Sequence, residues 1–353
     1  MIESIVNGKL VMKRFARREQ APRLLADIGG TNARFALETA PGEIEAIAVL
    51  PCSAYASLGL AMQSYLSSPA AVHAGADQVT QAALAIAAAV DGGEARMTNH
   101  HWTISSNALA QEFGFATVNL INDFKALALA IPLLLESEKR QIGGGSAKVG
   151  GVVGLVGPGT GFGVSALIPC KGEWIALETE GGHANFAPAN EVEDYILQYA
   201  WREHPHVSVE RLLSGIGLPI IYRALAVRAG IPEEQTPLTA QQIVERSLDG
   251  QCGICGDTVE AFCGMLGNAA ANVALTLGAT GGVYIGGGIV PRLGNRFAQS
   301  EFRRRFEKKG RFCNYMEQIP TTLITADYPA FHGLRASLGA MAGPSLLTRD
   351  LTR

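Results

Sequence analysis

Residues Leu24 to Arg34 read L-L-A-D-I-G-G-T-N-A-R. An apolar strand runs into Asp27, a Gly29-Gly30 pair follows, and then come Thr31, Asn32 and Arg34. A strand holds the carboxylate still, and the glycines let backbone approach a charged ligand. Backbone amides and a small hydroxyl on such a turn suit phosphate oxygens, whereas the carboxylate repels them unless Mg²⁺ stands between. The stretch reads as a nucleotide-phosphate and Mg²⁺ site on a β-hairpin. Asp27 would meet the metal through water, because Mg²⁺ keeps much of its hydration shell.

Working outward, short strands are expected at 24–28, 33–38 and 44–49, with Pro41-Gly42 in the second turn. A helix follows at 57–67, then a strand-like run at 79–90 and a helix that Ser105 can cap. Thr117 to Ile121 reads as a buried strand with Asn122 and Asp123 at its carboxyl end, the place where ligands bind in open α/β sheets. The second half repeats the unit. Strand 149–155 leads into the turn G-P-G-T-G-F-G (157–163), strand 164–169 follows, and the chain returns through 174–177. Helices fill most of 190–275, and 282–288 is a strand entering a Gly-rich turn.

At 353 residues the chain exceeds the usual size of one domain. Two similar α/β domains facing a cleft are the economical arrangement. Residues 1–22 read as a disordered extension, 23–133 as a small α/β domain and 134–329 as a large α/β domain. The hinge is expected near 130–145, and a C-terminal helix at 330–350 completes the small domain.

Composition narrows the function. A net charge of -3 argues against a nucleic-acid or anionic-membrane surface. The 41 glycines show no period. Cysteines at 52, 170, 252, 255, 263 and 313 are scattered and form no disulfide framework, which fits a reducing cytoplasm. Cys252-x-x-Cys255 lacks a second ligand pair and reads as buried or half-buried thiols. The first 20 residues have no apolar core of a signal peptide. Residues 79–90 are too few to span a bilayer, and Gly278, Gly281 and Gly282 break the apolar run at 266–285.

Four further groups can carry chemistry. Gly159, Thr160 and Gly161 offer amides and a hydroxyl to phosphate, although the turn matches neither the P-loop nor the dinucleotide fingerprint. Gly286, Gly287 and Gly288, after a strand, allow a flat ligand such as adenine to lie against backbone. Asp123, next to Asn122, suits a general base for an alcohol. An ordinary carboxylate, with a pKa of about 3.9, would act by fixing the hydroxyl and accepting its proton during attack. Glu180, His183 and Glu210 can hold sugar hydroxyls by charge-assisted hydrogen bonds, and Asn99 can reach the same substrate. These residues alone reach phosphoryl transfer to a hydroxyl compound.

The chain resembles the bacterial glucokinase family. The matching motifs are D-I-G-G-T-N-A-R (27–34), M-T-N-H-H-W (97–102), I-N-D-F-K-A (121–126), G-P-G-T-G-F-G (157–163), E-G-G-H (180–183), E-R-L-L-S-G (210–215) and G-G-G-I-V-P (286–291). Their order and spacing agree from about residue 24 to 345. The resemblance implies two ribonuclease H-like (actin-like ATPase) domains flanking a cleft. It also implies ATP-dependent phosphorylation of the 6-hydroxyl of D-glucose, with Asp123 as base and Asn122, Glu180, His183 and Glu210 on the sugar. Asp27 would place Mg²⁺ and the γ-phosphate, the first two Gly-rich turns would grip phosphates, and the third would lie near adenosine. Homodimers are common in that family.

Three features depart from it: residues 1–20 precede the usual start, the run at 79–90 lacks a proline, and the cysteine cluster that holds zinc in related kinases is missing after His183. Rival readings are a kinase for another hexose or N-acylated hexosamine, a sugar-responsive repressor, and an actin-like structural ATPase. The repressor needs a helix-turn-helix ahead of the first hairpin, where some 23 residues without helix periodicity stand.

Overall fold

Runs of buried aliphatic residues build two mixed sheets, and between them lies a helix that belongs to both. The computed structural model describes residues 21–97, 100–232, 237–250 and 252–341, with a two-residue strand pair, Ile5–Val6 and Lys9–Leu10. The extension expected at 1–22 otherwise lies outside the described residues, apart from residues 21 and 22.

The first sheet contains β1 (Arg23–Ile28), β2 (Asn32–Ala40), β3 (Glu43–Pro51), β4 (Gln81–Ile86) and β5 (Thr117–Asn122), in the order β5-β4-β1-β2-β3. β1, β4 and β5 are parallel, so their carboxyl ends share one edge. The second sheet contains β6 (Lys139–Ile142), β7 (Val153–Pro158), β8 (Phe162–Cys170), β9 (Glu173–Glu178), β10 (Val283–Ile285) and β11 (Thr321–Ile324), in the order β6-β11-β10-β7-β8-β9. A small three-stranded sheet, Val90–Asp91, Glu94–Arg96 and Thr103–Ser105, follows β4.

Two expected boundaries move. The run at 79–90 holds a strand only to Ile86, because the chain then turns into the small sheet. The strand expected at 149–155 begins at Val153 and continues through Pro158, since Gly150 turns with φ +69° and Val149 is exposed. Gly157 therefore pairs with Gly163 and Pro158 with Phe162 in the ladder, leaving only 159–161 as the turn. Proline is tolerated at a strand end, where its missing donor costs no interior ladder bond.

The helix Asp123–Ala130 joins the layers. Its Ala126 packs with Phe331, Leu334 and Leu338 on one face of the first sheet, while Leu127 and Ala128 pack with Val153, Leu155 and Leu167 of the second. The helix Ala330–Met341 crosses it closely: a Cβ on Gly333 would stand 1.7 Å from the Ala126 carbonyl oxygen. On the far face of the first sheet, Phe35 stacks on Tyr65 of the helix Leu58–Leu66. The far face of the second is covered by a large core around the helix Gly253–Leu277. Among the described residues no helix is long and apolar enough to cross a membrane.

Candidate active site

The carboxyl edge of the first sheet brings two aspartates together. Asp27 stands near the end of β1, paired across the hairpin with Arg34, whose Nη1 donates to Oδ2 at 3.0 Å. The turn is tight: the Gly29 amide donates to the Asn32 carbonyl at 3.0 Å, and the Cys52 thiol donates to the Gly29 carbonyl at 3.3 Å from beneath. Thr31 is exposed, and Gly30 and Asn32 are half-buried beside it. Burial raises the Asp27 pKa from its ordinary value, and Arg34 opposes the rise.

Asp123 follows β5 and opens the helix 123–130. One oxygen, Oδ1, accepts the Phe124 amide at 2.8 Å. Burial pushes its pKa up to about 7, and the charges of Asp27 and Glu180 push the same way. A carboxylate raised to this range is a much better proton acceptor than one at its usual value. The ordinary carboxylate assumed from sequence is corrected here, first because the group is buried and then because the charges of Asp27 and Glu180 act on it. Asn122 caps the helix: Oδ1 accepts from Phe124 at 2.9 Å and Lys125 at 3.1 Å, and Nδ2 donates to the Ala88 carbonyl at 3.2 Å. One N–H of that amide remains for a substrate.

Across the cleft, His183 lies between two acids. Its Nε2 is 3.8 Å from Glu180 Oε2, and its Nδ1 is 4.0 Å from Glu210 Oε1. Glu180 and His183 are 63% and 60% exposed, so both are open to a ligand. Glu210 is more enclosed, and its Oε2 accepts the Phe162 amide at 2.8 Å. Gly182 permits this cluster, because a Cβ there would stand 1.9 Å from the Phe162 carbonyl oxygen. Asn99, expected on the same substrate, lies outside the described residues.

The other Gly-rich turns meet side by side. β7 and β10 run parallel, and the Ile289 amide donates to the Pro158 carbonyl at 3.3 Å. Gly287, with φ +79°, passes so close that a Cβ would stand 2.3 Å from that oxygen. Nothing lies within 4 Å of a Cβ placed on Gly159 or Gly288, and Thr160 is exposed, so this face is open to a ligand. Gly161 faces Glu210 instead, whose Oε2 would stand 2.4 Å from an added Cβ. Sequence reading missed Phe124, Lys125 and Gly215. Lys125 Nζ bonds Glu178 Oε1 at 2.6 Å, and the Gly215 amide donates to the Gly159 carbonyl at 2.8 Å. All three lie inside the motifs quoted at 121–126 and 210–215, which gave them no role of their own.

A model of the family described as glucokinase matches residues 24–341. The glucokinase of Chromobacterium violaceum is 51% identical over 326 residues, which cover 92% of this chain and 92% of that protein. A bifunctional protein of Paraburkholderia xenovorans is 51% identical over 317 residues, covering 90% of this chain and 49% of that protein. The chain thus spans about half the length of that relative. A crystal structure of glucokinase from an Antarctic psychrotroph is 38% identical, superimposes with a TM-score of 0.79, and covers 91% of this chain and 100% of that one. The chain belongs to the glucokinase family and has the two-domain, actin-like ATPase fold of its sugar-kinase relatives.

Proposed function

We propose that this protein is an ATP-dependent glucokinase, transferring the γ-phosphoryl group of ATP to the 6-hydroxyl of D-glucose. The observation that carries the reading is the position of Asp123, influenced by Asp27 on the phosphate side and by Glu180 on the sugar side. Glu180, His183, Glu210, Asn122 and Asn99 hold the sugar. Gly29, Gly30, Thr31, Asn32 and Arg34 with Gly159 and Thr160 face the phosphates, Gly161 closes the second turn against Glu210, and Gly287 and Gly288 face the adenosine.

Asp123 orients the 6-hydroxyl and takes its proton as the oxygen bonds to the γ-phosphorus. The bond from phosphorus to the bridging oxygen breaks, and ADP leaves with that electron pair. The turn amides stabilise charge on the transferred oxygens. Sugar contacts draw the two domains together and exclude water, the competing nucleophile.

The donor set fits Mg²⁺. Asp27 offers one carboxylate, and among the described residues no cluster of three acidic, histidine or cysteine side chains forms a closed metal cage. Mg²⁺ characteristically takes one or two carboxylates, substrate phosphates and its own waters. When bound it neutralises phosphate charge. Asp27 would hold the ion through its waters, and Arg34 holds Asp27. We also propose a small domain of 23–133 completed by the C-terminal helix, a large domain of 134–329, a homodimeric assembly and a cytoplasmic location.

A coupled ADP-release assay with glucose, fructose, mannose and no sugar tests the reading. Saturable turnover requiring glucose and Mg²⁺ is expected, with Asp123→Ala losing roughly 10²–10⁴-fold in kcat. Near-normal kcat in that variant would remove Asp123 as the base.

A further inference from the structure

Phe124 sits between the catalytic and phosphate-binding elements. Its amide donates to both Asp123 Oδ1 and Asn122 Oδ1. Its ring lies on the β7–β8 hairpin, over the directly opposed pair Gly157 and Gly163. A Cβ on Gly163 would stand 2.0 Å from ring atoms Cδ2 and Cε2, and one on Gly157 would stand 2.6 Å from Cζ. Those two glycines are therefore a bare stretch of backbone shaped to the ring. The glycines of G-P-G-T-G-F-G divide their work: 157 and 163 receive Phe124, 161 receives Glu210, and 159 is left open at the tip.

We infer that Phe124 is a positioning residue: its ring, seated on Gly157 and Gly163, sets the separation between the Asp123 carboxylate and the 159–161 turn. The inference rests on the kinase reading above and adds a residue to it. In-line transfer needs the reacting atoms about 3–3.5 Å apart, and a displacement of about 1 Å can cost ~10²-fold. The ring is the rigid part of this link. The neighbouring Lys125–Glu178 ion pair joins the same helix to β9, but its partners are 32% and 39% exposed, and such pairs contribute little. Aromatic packing against bare backbone has no comparable slack, because interiors are close-packed.

The test is a double-mutant cycle in the full chain with Phe124→Ala, Gly163→Ala and the pair, together with Phe124→Leu. Glucose and ATP KM, kcat per folded molecule and thermal unfolding are measured for each. Phe124→Ala is expected to lower kcat by ~10²-fold while glucose KM moves by less than about threefold, since the sugar contacts are untouched. Phe124→Leu, which keeps bulk on the glycines, should recover most of that kcat and guards against a variant that fails to fold. Gly163→Ala alone should also lower kcat, because the added methyl and the ring cannot share the site. In the Phe124→Ala background it should cost almost nothing further, a non-additivity expected only of groups in contact. A kcat for Phe124→Ala within twofold of wild type, or effects of the two substitutions that simply add, would overturn the inference. A merely stabilising ring would lower the unfolding temperature and leave kcat per folded molecule unchanged, which also overturns it. Wild-type protein without glucose-dependent ADP release would instead defeat the kinase reading, and this inference with it.

Discussion

Glu210 holds the backbone of Phe162 through a 2.8 Å hydrogen bond at the point where the β7–β8 hairpin turns back. Its other oxygen faces His183 at 4.0 Å. Glu180 reaches the same histidine but is mostly exposed. The two acids should therefore separate in experiment. Glu180→Ala is expected to raise the glucose KM by roughly 10–10²-fold with an unchanged unfolding temperature. Glu210→Ala should raise KM and also cost ~1–3 kcal/mol of stability, because the Phe162 amide loses its acceptor. Glu210→Gln keeps an acceptor and should restore stability but not KM. An unchanged glucose KM in Glu180→Ala would remove that residue from the sugar site.

The raised pKa of Asp123 sets the sign of two pH effects. A base must be ionised, so kcat/KM should climb as pH rises through about 7, the value to which burial and the acids Asp27 and Glu180 push this group. Stability runs the other way. From the ordinary value of 3.8 up to about 7, the folded chain holds a proton that the unfolded chain has lost. Stability from this group therefore falls as pH rises across that window. Asp123→Asn should unfold at a higher temperature than wild type above pH ~7, with the gain fading toward pH ~4. Melting curves with equal offsets at both ends would contradict this origin.

The sequence carried the site better than it carried the reasons for it. Asp27, Asp123, Glu180, His183 and Glu210 were legible because each sits in a short motif at a strand end or turn, where local residue types reveal the geometry. The strand start at Val153 was not, since Val149 looks apolar in sequence yet is exposed beyond the turn at Gly150. Within 157–163 the sequence singles out Gly159, Thr160 and Gly161 for phosphate and assigns the other glycines nothing. Gly157 and Gly163 answer to the Phe124 ring and Gly161 to Glu210, contacts made only when distant segments meet. Asn122 read as a sugar ligand, and most of its amide is spent on capping a helix and holding Ala88. The pKa of Asp123 depends first on burial and then on acids from two other segments, so no window of sequence contains it.

Away from the cleft, Glu193 and Arg305 form a buried ion pair whose side chains are 3% and 10% exposed. Glu193 also accepts the Ala189 amide at 2.8 Å, and its own amide donates to Asn190 at 2.9 Å as the helix Glu191–Trp201 begins. Removing one charge leaves the other buried without its partner. Glu193→Ala is expected to destabilise the fold by about 3–5 kcal/mol, read in denaturant unfolding, while glucose KM per folded molecule stays near wild type. A loss below about 1 kcal/mol would place this pair with ordinary surface bridges.

Gly333 offers the sharpest test of how the helix that begins at Asp123 is held. An added Cβ would meet the carbonyl oxygen of Ala126 at 1.7 Å and its carbon at 2.6 Å, and both belong to backbone that cannot rotate away. The helices 330–341 and 123–130 must then move apart, and Asp123 rides at the start of the second. Gly333→Ala should cost ~1–3 kcal/mol, the usual penalty of overpacking, and lower kcat as well. Gly339, in the same helix, has nothing within 4 Å of an added Cβ. There the general preference for alanine in helices applies, and Gly339→Ala should gain about 0.5–1 kcal/mol with kcat unchanged. The two substitutions are chemically identical, so their opposite signs isolate the crossing point from helix propensity. Equal shifts in unfolding temperature for both variants would mean that the helices do not touch at Ala126.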